Sequence, residues 1–160
     1  INQYCLFVDF GEATRIAELF VEDGWWANDS IRMEGQDGIR REFGKRQGVT
    51  RRTSRHLCTN VLIDVVDEDH ATGICYLINY RHDSQTGVAE MPAPADAPKF
   101  VGEYRDTFVR TPEGWRFATR RPQGEWGVGS AATPAAAIAA NAVSRSVFSR
   151  LTRRSTGARF

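Results

Sequence analysis

The chain has 160 residues and a mass of 17.9 kDa, with 26% charged and 41% hydrophobic residues. That size suits one domain, and that composition excludes a disordered chain, a collagen-like fibre and a disulfide-dense secreted scaffold. The formal net charge is only +1, and the longest weakly polar stretch, Ala131 to Val143, is interrupted by Thr133, Pro134 and Asn141, short of the roughly 20 apolar residues a membrane helix needs.

In chain order, residues 1–9 (INQYCLFVD) place Ile1, Cys5 and Val8 at helical spacing with Leu6 beside them, and so read as a helix end closed by the Asp9–Gly11 region. Ile1 stands where a methionine would begin a chain, so a short preceding piece is expected; no signal peptide is visible. A second helix is expected in EATRIAELFVED, with Ala13, Ile16, Leu19 and Phe20 on one face and Gly24 as its stop. Trp25 and Trp26 open an extended stretch to Met33, Gly35 and Gly38 bracket a turn, and a charged helix follows from about Ile39 to Gln47 with Ile39 and Phe43 as its apolar pair.

The pattern then changes to strands. Residues 55–66 and 71–80 form two, separated by the acidic Asp67–Glu68–Asp69 turn; residues 81–98, with Pro92, Pro94 and Pro98, form a long loop. Residues 100–110 form a third long strand, Thr111-Pro112-Glu113-Gly114 a type I turn, and residues 115–121 the returning strand. Helices first and strands last predict an α+β fold: helices packed on one side of a curved antiparallel sheet, a cone-shaped barrel enclosing a pocket.

Residues 122–160 differ in composition and read as a separate Ala/Arg-rich tail, with a helix possible from about Pro134 to Leu151. The last 31 residues hold five arginines and no acid, which leaves 16 basic and 20 acidic side chains in residues 1–129, a balance of −4. An acidic body with a basic tail is unlike a nucleic-acid-binding domain, whose positive charge sits on the fold itself. Cys5, Cys58 and Cys75 are odd in number and lack CxxC spacing, so they read as small buried apolar residues in a reducing cytoplasm.

Of the three histidines, His70 and His82 read as solvent-facing loop residues. A metal site from Asp67, Asp69 and His70 is conceivable, but closely spaced turn acids are ordinarily just solvated, and no metal or cofactor is expected. His56 begins a strand of apolar and small neighbours, where a histidine is either structural or catalytic. Asp9 closes an otherwise apolar segment, FVDF, where a carboxylate is unfavourable unless partnered. A His–Asp pair resolves both anomalies, the carboxylate fixing the imidazole tautomer and stabilising the imidazolium. Tyr4 lies five positions before Asp9, about 140° away around a helix, and reaches the same cavity if Asp9 sits where the helix ends. No GxSxG occurs, and no catalytic serine or cysteine motif stands out.

The run Y4-C-x-x-x-D9, then RIAELFVEDGWW, RHLCTN at 55–60 and GEYRDTFVRTPEGWRF at 102–117 resembles the SnoaL-like branch of the nuclear transport factor 2-like superfamily over residues 1–121. Within it the resemblance is to dehydratase-type members with a His–Asp dyad, such as scytalone dehydratase, bile acid 7α-dehydratase and hexachlorocyclohexane dehydrochlorinase. It implies Asp9 and His56 as the dyad, Tyr4 as the tyrosine of the first helix, and Trp26 and Leu77 as pocket walls. The dehydrochlorinase's last-strand arginine falls at Ala118. Strand alternation puts Arg116, Ala118 and Arg120 on one face, so Arg120 is the expected substitute for substrate binding.

The expected activity is a cofactor-independent lyase performing β-elimination on a small apolar, cyclic or aromatic substrate. His56, Asp9 and Tyr4 are its catalytic residues; Tyr4 favours expulsion of hydroxide, which needs an acid, over chloride, which does not. The alternatives are an isomerase or polyketide-type cyclase using the same base, or a non-catalytic binding module like a ring-hydroxylating dioxygenase small subunit. The expected partners are a small-molecule substrate and further copies of the chain, with neither nucleic acid nor membrane.

Overall fold

The computed structural model describes residues 1–127; the helix expected from about Pro134 to Leu151 lies outside the described residues. The first element, α1 (Asn2–Asp9), has 8 residues, too few to hold a helix alone in water. Packing against the third strand and the following helical turn holds it. Its buried face is Tyr4, Cys5, Phe7 and Val8, while Leu6 points to solvent.

The second helix is shorter than its sequence pattern suggests. It is a 3₁₀ helix over Ala13–Leu19, and the chain turns extended at Phe20 to begin β1 (Phe20–Ala27). Gly24 is therefore a strand residue and not a helix stop. A Cβ there would lie 3.0 Å from the Phe117 carbonyl oxygen and 3.1 Å from that of Ala118, so glycine permits β1 to approach the last strand. After β2 (Arg32–Glu34), α2 runs over Gly35–Gln47. It starts earlier than expected and takes Gly35 and Gly38 into the helix. Ile39 and Phe43 are its buried pair, and the helix packs on the 3₁₀ turn and β1.

Four long strands complete the domain: β3 (Arg52–Val65), β4 (His70–Asp83), β5 (Phe100–Thr111) and β6 (Gly114–Gly127). Pro112 and Glu113 turn the β5–β6 hairpin, and Gly114 takes φ +103°, a left-handed conformation that suits glycine. The sheet order is β2-β1-β6-β5-β4-β3. Neighbours are antiparallel except β1 and β6, which run parallel, a departure from the all-antiparallel expectation. The fold is α+β, with a six-stranded sheet curled around the helices; β2 and β3 remain edges, so the sheet does not close. Its core joins Tyr4, Phe7, Val8, Ile16, Phe20, Ile39 and Phe43 to Cys75, Leu77, Tyr104 and Phe117.

One irregularity decides what β6 buries. Thr107 pairs Thr119 and Phe108 pairs Phe117, so Ala118 is an extra residue in a bulge. Parity changes there, and Phe117 and Arg120 both turn inward, against the strict alternation that grouped Arg116, Ala118 and Arg120. Arg120 is wholly buried. Its Nε and Nη2 each donate to Asp106 at 3.1 Å, and its guanidinium lies 3.7 Å from the Tyr104 ring centroid, 4.3 Å from Tyr4 and 4.5 Å from Phe117. Among the described residues its Nη1 has no hydrogen-bond partner, and the rings around the guanidinium supply the remaining stabilisation of its charge. Burial pushes the Asp106 carboxyl up to about 6, while Arg120 opposes the rise. Replacing Asp106 with Ala would strand a buried cation, and equilibrium denaturation should show a loss of about 3–5 kcal/mol; a loss below 1 kcal/mol would mean that the rings alone hold the guanidinium.

Candidate active site

Asp9 is the last residue of α1, where the helix dipole already disfavours negative charge. Three donors from β3 answer it. The Ser54 hydroxyl donates to Oδ1 at 2.8 Å, the His56 backbone N–H to Oδ2 at 2.7 Å, and His56 Nδ1 meets Oδ1 at 2.7 Å. The carboxylate side chain is 4% exposed and the imidazole 16%, so the pair is shielded while the ring keeps an opening. A carboxylate at Nδ1 fixes the proton on that nitrogen and leaves Nε2 as the basic atom. Nε2 faces Asn79, whose amide nitrogen lies 3.2 Å away and donates to it.

His56 lines a cavity of about 310 Å³, at the lower end of the range for small-molecule sites. Part of its lining is apolar or aromatic: Tyr4, Trp26, Met33, Phe43, Leu77 and Tyr104. Arg46, Arg52, Ser54, Asn79 and Arg81 add polar and charged groups to the same lining.

Tyr4, Trp26 and Leu77 thus share a cavity with His56, and Asp9 stands behind it. Tyr4 is buried, packs edge-on against Phe43 and Tyr104, and accepts a hydrogen bond from Trp26 Nε1 at 3.1 Å. Burial pushes its phenol up to about 12, so it stays protonated and able to donate. Arg120 does not reach the wall: it lies beneath Tyr4 and Tyr104, inside the ion pair with Asp106. The ion pair and the two rings that cover the guanidinium are the reason.

His70 is exposed and bound to its own turn through Asp67 at 2.8 Å. His82 is not a loop residue. It lies in β4, half-buried, 3.5 Å from Glu90 and 3.9 Å from Asp96. No group of three metal-ligating side chains occurs among the described residues. Cys5 and Cys75 are buried and Cys58 half-buried, all three free, with Cys5 and Cys58 sulfurs 3.4 Å apart.

Sequence reasoning missed Ser54, Asn79, Arg46, Arg52 and Arg81. Two carried a signal. Ser54 lies two residues before His56, on the same strand face. Asn79 is the polar member of an inward series (Ala71, Cys75, Leu77) and pairs with His56 across the ladder.

The family model for the SnoaL-like domain matches residues 1–121. The chain belongs to that family. Solved structures agree on the architecture. A Mycobacterium tuberculosis protein of unknown function is 26% identical, with a TM-score of 0.65 over 82% of this chain and 76% of that one. A nuclear transport factor 2-like protein with a cystatin-like fold from Novosphingobium aromaticivorans is also 26% identical, with a TM-score of 0.64 over 84% and 81%. A candidate scytalone dehydratase from the same organism is 21% identical, with a TM-score of 0.66 over 81% and 89%. The curated proteins returned no significant match. Among the described residues no helix is long and apolar enough to cross a membrane.

At the cavity rim, Arg52 grips Asp83 with both Nε (2.6 Å) and Nη2 (3.0 Å), and Arg81 binds the same carboxylate. Arg52 in particular holds the Asp83 carboxyl well below its ordinary 3.8. A depressed carboxyl contributes stability above its unfolded value and loses it as pH falls through the folded one. Asp83→Asn should therefore be less stable than the parent at pH 7, and the gap should narrow below about pH 4 in urea titrations; a gap that stays constant with pH would show that Asp83 acts through packing.

Proposed function

We propose that the protein is a cofactor-independent lyase that carries out dehydratase-type β-elimination on a small apolar, cyclic or aromatic substrate. The observation that carries this reading is the 2.7 Å contact of Asp9 Oδ1 with His56 Nδ1 behind a cavity that the imidazole lines. His56 Nε2 takes a proton from the carbon next to an activating group. Asp9, held by Ser54 and the His56 backbone, steadies the imidazolium. Tyr4, kept neutral by burial and oriented by Trp26, gives a proton to the departing oxygen. Asn79 holds the Nε2 lone pair until substrate displaces it. A placed base of this kind contributes about 10²–10⁴-fold, and the aromatic cavity adds orientation and water exclusion. The candidate scytalone dehydratase of the same fold supports the reaction class.

The reading extends to a cytoplasmic homo-oligomer. Free thiols at Cys5, Cys58 and Cys75 support a reducing compartment, and exposed Leu57, Ile63, Val65 and Tyr76 on β3 and β4 support self-association through the sheet.

The test is a panel of cyclic β-hydroxy ketones in deuterated water, followed by mass spectrometry. A product lighter by one water, formed about 10²–10⁴-fold more slowly by a folded His56→Ala variant, is the expected result. A product of unchanged formula carrying deuterium would assign an isomerase instead, and parental rates in His56→Ala would remove the base from the mechanism.

A further inference from the structure

The β3–β4 ladder stacks four inward rungs in the order Cys58–Leu77, His56–Asn79, Ser54–Arg81 and Arg52–Asp83. Polarity rises along this series from apolar to fully charged. Successive rungs on one face are about 7 Å apart, two residues of strand rise, so the Arg81 rung lies roughly that distance from the imidazole. Arg46, near the end of α2, joins the same wall by donating from Nη2 to Ser54 Oγ at 2.9 Å.

The charges on this wall do not cancel. Arg52 and Arg81 share one carboxylate, Asp83. Asp9 is already occupied by Ser54 and His56. Glu42, also at the cavity, is answered by Lys45 at 2.8 Å. Among the described residues Arg46 has no carboxylate partner and one hydrogen bond, to a hydroxyl, whereas a guanidinium carries five donors. Burial, then Arg52, presses against its charge, and Asp9, reached through the Ser54 hydroxyl, offsets this only in part. A half-buried cation beside two others, in a cavity that aromatic rings also line, is an environment that an oxyanion would relieve.

We infer that Arg46, with Arg81 beside it, is an oxyanion subsite, and that the substrate joins a cyclic apolar body to a carboxylate or phosphate about one ladder rung from the carbon that His56 deprotonates. This rests on the elimination reading for the role of His56, but the subsite itself is a binding property. The body packs against Tyr4, Trp26, Phe43 and Leu77. The anion meets the free edge of the Arg46 fork, and the fork's other edge keeps Ser54 in place.

The experiment is calorimetric titration of the full chain with three probes of one ring system: 2-naphthoate, 2-naphthyl phosphate and the neutral 2-naphthalenemethanol. Either anion should bind at least about tenfold more tightly than the alcohol, as a charge-assisted contact implies, and the tighter of the two names the anion class. Arg46→Gln should erase that preference while leaving affinity for the alcohol within about twofold. Arg81→Gln, the second variant should Arg46→Gln fail to fold, should reduce it. Equal binding of all three probes, or a preference undiminished in the folded variants, would overturn the subsite. Repeating the titration on His56→Ala separates the two readings. A preference that persists there stands even if no elimination is ever observed, and elimination of neutral substrates with no anion preference would sink the subsite alone.

Discussion

The carboxylate of Asp9 is the joint on which the arrangement depends. It is an anion at the wrong end of a short helix, nearly sealed from water, and it is tolerable only because β3 presents a hydroxyl, a backbone N–H and an imidazole N–H to it. Hydrogen bonds to a charged group are worth about 1.5–3 kcal/mol each, and leaving such a group unpaired would be still more unfavourable. The same contacts that satisfy Asp9 therefore dock α1 against β3. Because α1 also carries Tyr4, docking it brings the phenol and the imidazole to one cavity.

Around this joint the two strands sort chemistry along their length. An apolar rung comes first, the imidazole and amide next, and the arginines last. The fully charged Arg52–Asp83 rung ends the series, and the imidazole sits between charge and apolar packing, shielded beside its orienting partner. Among the aromatic residues of the cavity, the Trp26 indole N–H and the Tyr4 hydroxyl satisfy each other.

Much of this was legible in the chain. The misplaced Asp9, the strand position of His56 and the helix-then-strand order are local facts, visible because a buried carboxylate and a change of hydrophobic period are hard to disguise. What was not legible depended on pairing. Gly24 looks like a helix terminator until β6 is known to pass within van der Waals contact of it. Arg120 looks like a cavity residue until its buried ion pair with Asp106 is known, and only the register against β5 reveals that partner. Ser54 and Asn79 show in sequence only which strand face they share; that Asn79 lies across from His56 follows from cross-strand register, which is not written in either strand alone. The arginine wall was hidden for the same reason, since Arg46, Arg52 and Arg81 belong to three separate elements.

The buried pair beneath the cavity also bears on how any kinetic profile should be read. Arginine keeps its proton at every accessible acidity, whereas Asp106, at about 6, changes its charge within the range where enzymes are ordinarily assayed. Mild acid would therefore leave an unbalanced cation under the Tyr4 and Tyr104 rings, altering the field in the chamber without touching a bound molecule. An inflection near that acidity in any property of the cavity is therefore the signature expected of Asp106, one layer deeper.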